Sequence, residues 1–251
     1  MKVEIKKILF LSVITLVMFA IIGFASVNNT SKQVHAVQVV ILDQNGDFFI
    51  DKLEVLNLLN AENTDYVLGL SLDQLDLKIL EERVEKNPFI KDAQVYRDIK
   101  GNLIVSVRQA QPIARIINRT GPDRYIDSEG DFIPVSPRHT ARVPLIEMER
   151  SFSWETNINE TEYGTKVFNL VNYIREDKFW DAQIAGLVIA KNGELTLMPQ
   201  VTKQQIKFGM PEDFEIKFKK LKVFYKEILP NKGWNTYNTV NLKFKDQIVC
   251  E

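Results

Sequence analysis

The sequence predicts an α+β protein: one N-terminal transmembrane helix, a small domain of order β-α-α-β-β, and a mixed β domain interrupted by two helices. Three observations carry this reading. Residues 8–27 form a run of twenty without a charged side chain. The next 75 residues or so switch from strand-like alternation to two helical periods and back. From Pro112 onward, short strand-like runs are separated by turn signals, among them Gly121-Pro122, Glu129-Gly130 and Asn192-Gly193.

Residues 1–7 read as a cytoplasmic tail and 8–27 as the membrane helix. At about 1.5 Å per residue, twenty helical residues span roughly 30 Å, the thickness of the hydrocarbon core. Lys2, Lys6 and Lys7 outnumber Glu4 in front of the segment, while residues 28–32 behind it hold one charge, Lys32. That asymmetry places the N-terminus in the cytoplasm and the rest outside. The competing reading is a cleaved signal peptide with Gly23 and Ala25 as its small residues, although such a peptide has an apolar core of about 7 to 15 residues.

The first domain is expected over residues 34–109. Val37, Val39 and Ile41 open it as a β-branched strand, closed by the turn signal Asp43-Gln44-Asn45-Gly46. Ile50, Leu53, Leu56, Leu58 and Leu59 approximate one short helix. Ser71 offers an N-cap to a second, with Leu72, Leu75, Ile79, Leu80 and Val84 on one side. Asn87-Pro88 stops that helix, because a residue before proline avoids helical dihedrals. Strands follow over 90–96 and 103–107, turning at Lys100-Gly101-Asn102.

The second domain is expected over 110–251. Its strands are read at 113–117, 124–127, 132–135, 184–190, 194–198 and 205–208, with helices over 162–177 and 211–229. Pro211 is expected in the first turn of the second helix, whose stripe runs through Phe214, Phe218, Leu221, Phe224, Tyr225, Ile228 and Leu229. Lys217, Lys219, Lys220 and Lys222 are read as its solvated face. A final strand is expected from Thr239 to about Val249, with Val240, Leu242, Phe244, Asp246 and Ile248 on one face.

No catalytic, cofactor-binding or metal-binding residue is predicted. The eleven glycines never stand two apart, which excludes GxGxxG and a P-loop, and neither GxSxG nor HExxH occurs. The single cysteine, Cys250, permits no intramolecular disulfide and no cysteine metal site. His35 and His139 read as a strand-edge and a loop residue. A net charge of -1 and a pI near 6.2 provide no positive field for nucleic acid. A carboxylate pair of the glycosidase type leaves no local signature, so a membrane-anchored hydrolase stays open on the residues alone.

The stretch from Leu77 to Arg97 (LKILEERVEKNPFIKDAQVYR), with Leu103-Ile104-Val105-Ser106-Val107 and Gln111-Pro112-Ile113-Ala114, resembles the POTRA domain of the bacterial FtsQ/DivIB family. Tyr125-Ile126-Asp127-Ser128-Glu129-Gly130, Val143-Pro144-Leu145-Ile146 and Val240-Asn241-Leu242-Lys243-Phe244 resemble that family's β-domain motifs in the same order. The sequence departs from the family pattern at Gln109 and at Glu147-Met148. The resemblance implies a non-enzymatic divisome scaffold, in the cytoplasmic membrane at the division septum, whose partners are FtsB-like and FtsL-like bitopic proteins and possible further divisome membrane proteins. It implies partner binding at Phe244, Lys245, Asp246, Gln247, Ile248, Val249 and Cys250 through an open terminal strand edge, and at Val95 and Arg97 on the POTRA strand. The lipid bilayer would be contacted through residues 8–27. The alternative is a POTRA-type protein that handles polypeptides in membrane-associated transport or assembly.

Overall fold

The computed structural model describes residues 2–29, 33–42, 49–60, 67–71, 73–119, 121–149 and 154–251, with side chains of the first helix described over 10–23. The predicted turn at Asp43-Gln44-Asn45-Gly46 and the predicted core position Leu72 lie outside the described residues.

The first helix, α1 (Lys2–Asn29), covers the uncharged run. Its large apolar side chains, including Phe10, Leu16, Phe19 and Ile21, are exposed. Among the described residues, however, no helix is long and apolar enough to cross a membrane. The predicted span is therefore met as a helix and not as a described span.

The described residues divide into two compact units, one ending at Gln109 and the other running from Ala110 onward together with Phe49. In the first unit, β1 (Val37–Leu42), β2 (Ile90–Arg97) and β3 (Leu103–Gln109) form a sheet of order β1-β3-β2, with β1 parallel and β2 antiparallel to β3. Helices α2 (Lys52–Leu59) and α3 (Leu77–Glu85) complete a core through Val55, Leu59, Leu80 and Val84 against Val39, Val95, Val105 and Val107. Asp51 caps α2 and Asp76 caps α3. The predicted cap, Ser71, instead bridges to Gln33, because α3 starts six residues beyond it. Ile79, read as a core position, is exposed, since with that later start Leu80 and Val84 point inward. Gln109, buried, accepts a hydrogen bond from the Ile50 N–H at 3.1 Å.

The second unit is a sheet of nine described strands: β4 (Pro112–Ile117), β5 (Arg124–Asp127), β6 (Phe132–Pro134), β7 (Leu145–Met148), β8 (Ile184–Ile189), β9 (Leu195–Pro199), β10 (Gln205–Gly209), β11 (Thr239–Asn241) and β12 (Val249–Cys250). Their order is β12-β11-β10-β9-β8-β7-β4-β5-β6. Helices α4 (Glu162–Glu176), α5 (Lys178–Gln183) and α6 (Phe214–Val223) join Ile146, Leu187, Leu197, Phe208 and Val240 in one core through residues such as Leu170, Trp180 and Phe218. On the opposite face, Glu147, Val188, Thr196, Lys207, Asn241 and Val249 stand in register across six strands.

Besides the short α5, a further helix where two were expected, which the Asp177 side chain caps by accepting from the Phe179 and Trp180 N–H groups, three features of this unit differ from the sequence expectation. Leu145–Met148 is a strand, and its parallel partners β4 and β8 come from distant parts of the chain, so no hairpin pattern marks it. The last long helix starts at Phe214 rather than at Pro211 and runs through a π-helical turn (Phe224–Ile228) into α7 (Leu229–Lys232). Pro230 therefore lies inside the helix; the wide turn ahead of it relieves the clash between a proline ring and the carbonyl four residues back. The third difference is at the C-terminus.

Candidate functional site

The expected strand from Thr239 to Val249 is two strands with a reversal between them. β11 stops at Asn241, the chain bends at residues 244–246, and β12 returns antiparallel to β11 with Val240 opposite Cys250 and Asn241 opposite Val249. Val240 and Leu242 remain in the core, while Phe244 is 45% exposed. The expected single apolar face therefore ends at Leu242.

Three polar donors hold the reversal. The Lys243 N–H donates to the Asn241 side chain at 3.0 Å, and Lys243 Nζ pairs with Glu194 at 2.9 Å. Lys220, from α6, donates through Nζ to the carbonyls of Phe244 (2.6 Å), Lys245 (3.2 Å) and Leu242 (3.4 Å). The lysines of α6 are thus not simply a solvated face. Lys217 donates to the Met210 carbonyl at 2.9 Å and sits 4.6 Å above the Phe208 ring, and burial lowers its pKa. Lys222 lies 3.5 Å from Asp177.

The returning strand makes β12 one of the two edges of the described sheet, the other being β6. The Glu251 N–H donates to the Thr239 carbonyl at 3.0 Å, and the Thr239 N–H donates back at 2.9 Å. Hydrogen-bonded and non-hydrogen-bonded pairs alternate along antiparallel strands. Val249 therefore faces Asn241 with its backbone groups, and the N–H and C=O of Cys250 point away from the sheet. The Cys250 and Ile248 side chains pack partly into the core, Val249 lies on the opposite face, and Lys245, Asp246 and Gln247 are exposed. Burial pushes the Cys250 thiol pKa up.

The second predicted site is differently built. Val95 is buried in the first core, and Arg97 is exposed at the end of β2. The N–H groups that β2 turns outward at Ala93 and Val95 are taken by α3, through Glu85 at 3.1 Å and Glu81 at 2.8 Å. The predicted residues fall in two separate units: 244–250 in the second, Val95 and Arg97 in the first.

Sequence reasoning missed Glu81, Glu85 and Lys220. Glu81 and Glu85 stand four apart on the polar side of a helix, which signals only a shared face. Lys220 is one of four lysines within six positions, and nothing local separates it from its neighbours. Among the described residues, no group of three or more His, Cys, Asp or Glu side chains could hold a metal ion. Among the described residues the Tyr225 hydroxyl, in the π turn, is buried with no hydrogen-bond partner, and its pKa is raised by burial to about 12.

Fold and site together define a two-domain α+β protein with a helix-backed sheet, one of whose two edge strands, β12, is the last strand described. Residues 32–108 match the POTRA-like domain family, and residues 111–251 match the family described as FtsQ/DivIB, C-terminal related. The chain belongs to the FtsQ/DivIB family. It is 26% identical over 186 residues to the cell division protein FtsQ of Rhodothermus marinus, covering 72% of this chain and 67% of that protein. It is 24% identical over 209 residues to the cell division protein FtsQ of Geotalea daltonii, covering 80% and 71% respectively.

Proposed function

We propose that the chain is a non-enzymatic scaffold of the bacterial division machinery. It binds FtsB- and FtsL-type bitopic proteins outside the cytoplasmic membrane by adding a partner strand to β12, and so helps assemble the septal machinery. The observation that carries this reading is the outward N–H and C=O of Cys250 on the outermost described strand. Main-chain bonds to such an edge supply affinity, and alternating side chains select the partner. Ile248 and Val249 supply two of those side chains, and Phe244 to Gln247 form the adjoining turn. The anchor is residues 8–27: the uncharged sequence and the exposed apolar side chains of α1 support it. The N-terminus is then cytoplasmic and both folded units lie outside, at the division septum.

The POTRA-type polypeptide-handling alternative has less support, because Glu81 and Glu85 already occupy the donors a peptide strand would use at Val95 and Ala93. Arg97, exposed beyond them together with Tyr96, is left for a partner contact.

The experiment is capture of partners from membrane extract by the full chain in detergent, beside a chain carrying Phe244→Ala and Ile248→Lys. Retention of small coiled-coil division proteins by the first and their loss from the second, with equal circular dichroism, is expected. Equal retention by both would remove the contact from β12.

A further inference from the structure

β12 has two residues, too few for ladder bonds alone to hold a strand in place. What fixes it lies on the helical layer. The three carbonyls that Lys220 Nζ reaches, those of Leu242, Phe244 and Lys245, belong to the stretch where the chain leaves β11 and reverses. An ammonium group has three donors and no acceptor, so one side chain engages all its donors on one turn. Charge-assisted bonds of this kind are about twice as strong as neutral ones. Lys220 is half-buried on α6, whose Leu221 and Phe218 are fully buried, so its stem starts from a fixed base.

The geometry of that turn decides where the next strand lies. A slip of one residue between β11 and β12 would turn the backbone groups of Cys250 inward and those of Val249 outward, and would exchange the two side chains between core and open face. Lys243, paired with Glu194 on the exposed side, holds the start of the turn and does not reach its tip.

We propose that Lys220 is a positioning residue for the terminal edge. By gathering three carbonyls of the reversal it sets the register of β12 on β11, and thereby presents the N–H and C=O of Cys250 to an incoming extended backbone. Lys220 acts through the turn and does not itself touch the partner. This inference rests on the terminal-edge reading above.

The test is amide hydrogen exchange at Val249 and Glu251 in the full chain in detergent, comparing wild type, Lys220→Met and Lys217→Met. Methionine keeps most of the stem and removes the donors. Lys217→Met removes an equal charge from the same helix without touching the turn. Lys220→Met is expected to speed exchange at both amides by about tenfold, with β8 amides and circular dichroism unchanged, and to lower partner capture alongside. Lys217→Met should leave Val249 and Glu251 at the wild-type rate. Lys220→Arg, which keeps charge and donors on a broader head, should fall between and serves if the methionine chain does not fold. Wild-type exchange in the Lys220 variants would overturn the proposal, as would faster exchange with undiminished capture. Faster exchange in a protein whose wild-type form captures no partner would instead overturn the terminal-edge reading and leave the hold of Lys220 on β12 intact.

Discussion

The Val95 N–H donates to the Glu81 carboxylate at 2.8 Å, and two residues earlier the Ala93 N–H donates to Glu85 at 3.1 Å. The pairing works because two spacings nearly coincide. Four residues of helix advance about 6 Å, and two residues of strand about 6.7 Å, so carboxylates at i and i+4 of α3 stand where the acceptors of a fourth strand would be. The edge of β2 is closed by its own helix, whereas that of β12 is not closed in this way.

Removing that closure should convert β2 into an adhesive edge. Glu81→Ala with Glu85→Ala is expected to cost about 1–2 kcal/mol of stability, as two partly exposed bonds to charged acceptors are lost, and to produce concentration-dependent self-association. Urea unfolding and sedimentation velocity measure the two effects. A double variant that stays monomeric would show that something else guards the edge.

Gly186 in β8 has no room for a side chain. A Cβ there would overlap the Leu145 carbonyl oxygen of the neighbouring strand β7. Since backbone cannot step aside cheaply in a central strand, Gly186→Ala should destabilise the second unit by about 3 kcal/mol. Thermal unfolding of the variant, followed by tryptophan fluorescence, checks this; an unchanged midpoint would mean β7 and β8 pair otherwise.

Glu160 ties the loop after β7 to the start of α4. Its carboxylate accepts from the Thr156 hydroxyl and from the N–H groups of Glu155, Thr156 and Asn157, which together lower its pKa to about 2. A depressed carboxylate pKa stabilises the fold above the ordinary glutamate range, and that contribution fades as pH falls through about 2. Carbon-detected titration of the Glu160 carboxyl should therefore show a midpoint near 2, and Glu160→Gln should flatten the acid limb of the stability curve. A midpoint in the usual glutamate range would refute the capping arrangement.

Cys250 should be a slow thiol. Burial raises its pKa, so less thiolate is present at any given pH, and access is restricted as well. Alkylation by iodoacetamide at pH 8 is expected to run several-fold slower than for the same cysteine in urea. Equal rates would place the thiol in solvent, in conflict with its contact to the core.

Legibility in the sequence followed the range of the forces involved. β5 (Arg124–Asp127) was readable to the residue, and the aromatic stripe of the last long helix is indeed core, because local alternation and helical period report burial on one face. β7 was not readable: its pairing with β4 and β8 is parallel and long-range. The single-strand reading of 239–249 failed for a related reason. Phe244, Asp246 and Ile248 continue the alternation of Val240 and Leu242, and no Gly or Pro marks the reversal; it is held by Lys220 and Glu194, groups distant in sequence. Of the candidate site, the terminal segment was visible through family resemblance, but its shape and the closing of β2 by Glu81 depend on side-chain contacts that no local pattern encodes.

The most direct test of the account is the exchange rate of one amide, that of Cys250, in the free chain and with the bitopic partner bound. Free, it should exchange faster than Val249 and Glu251, whose N–H groups face β11; bound, it should slow by at least about tenfold, since a partner strand must accept from it. A Cys250 amide that still exchanges at its free rate in the complex would contradict strand addition at β12.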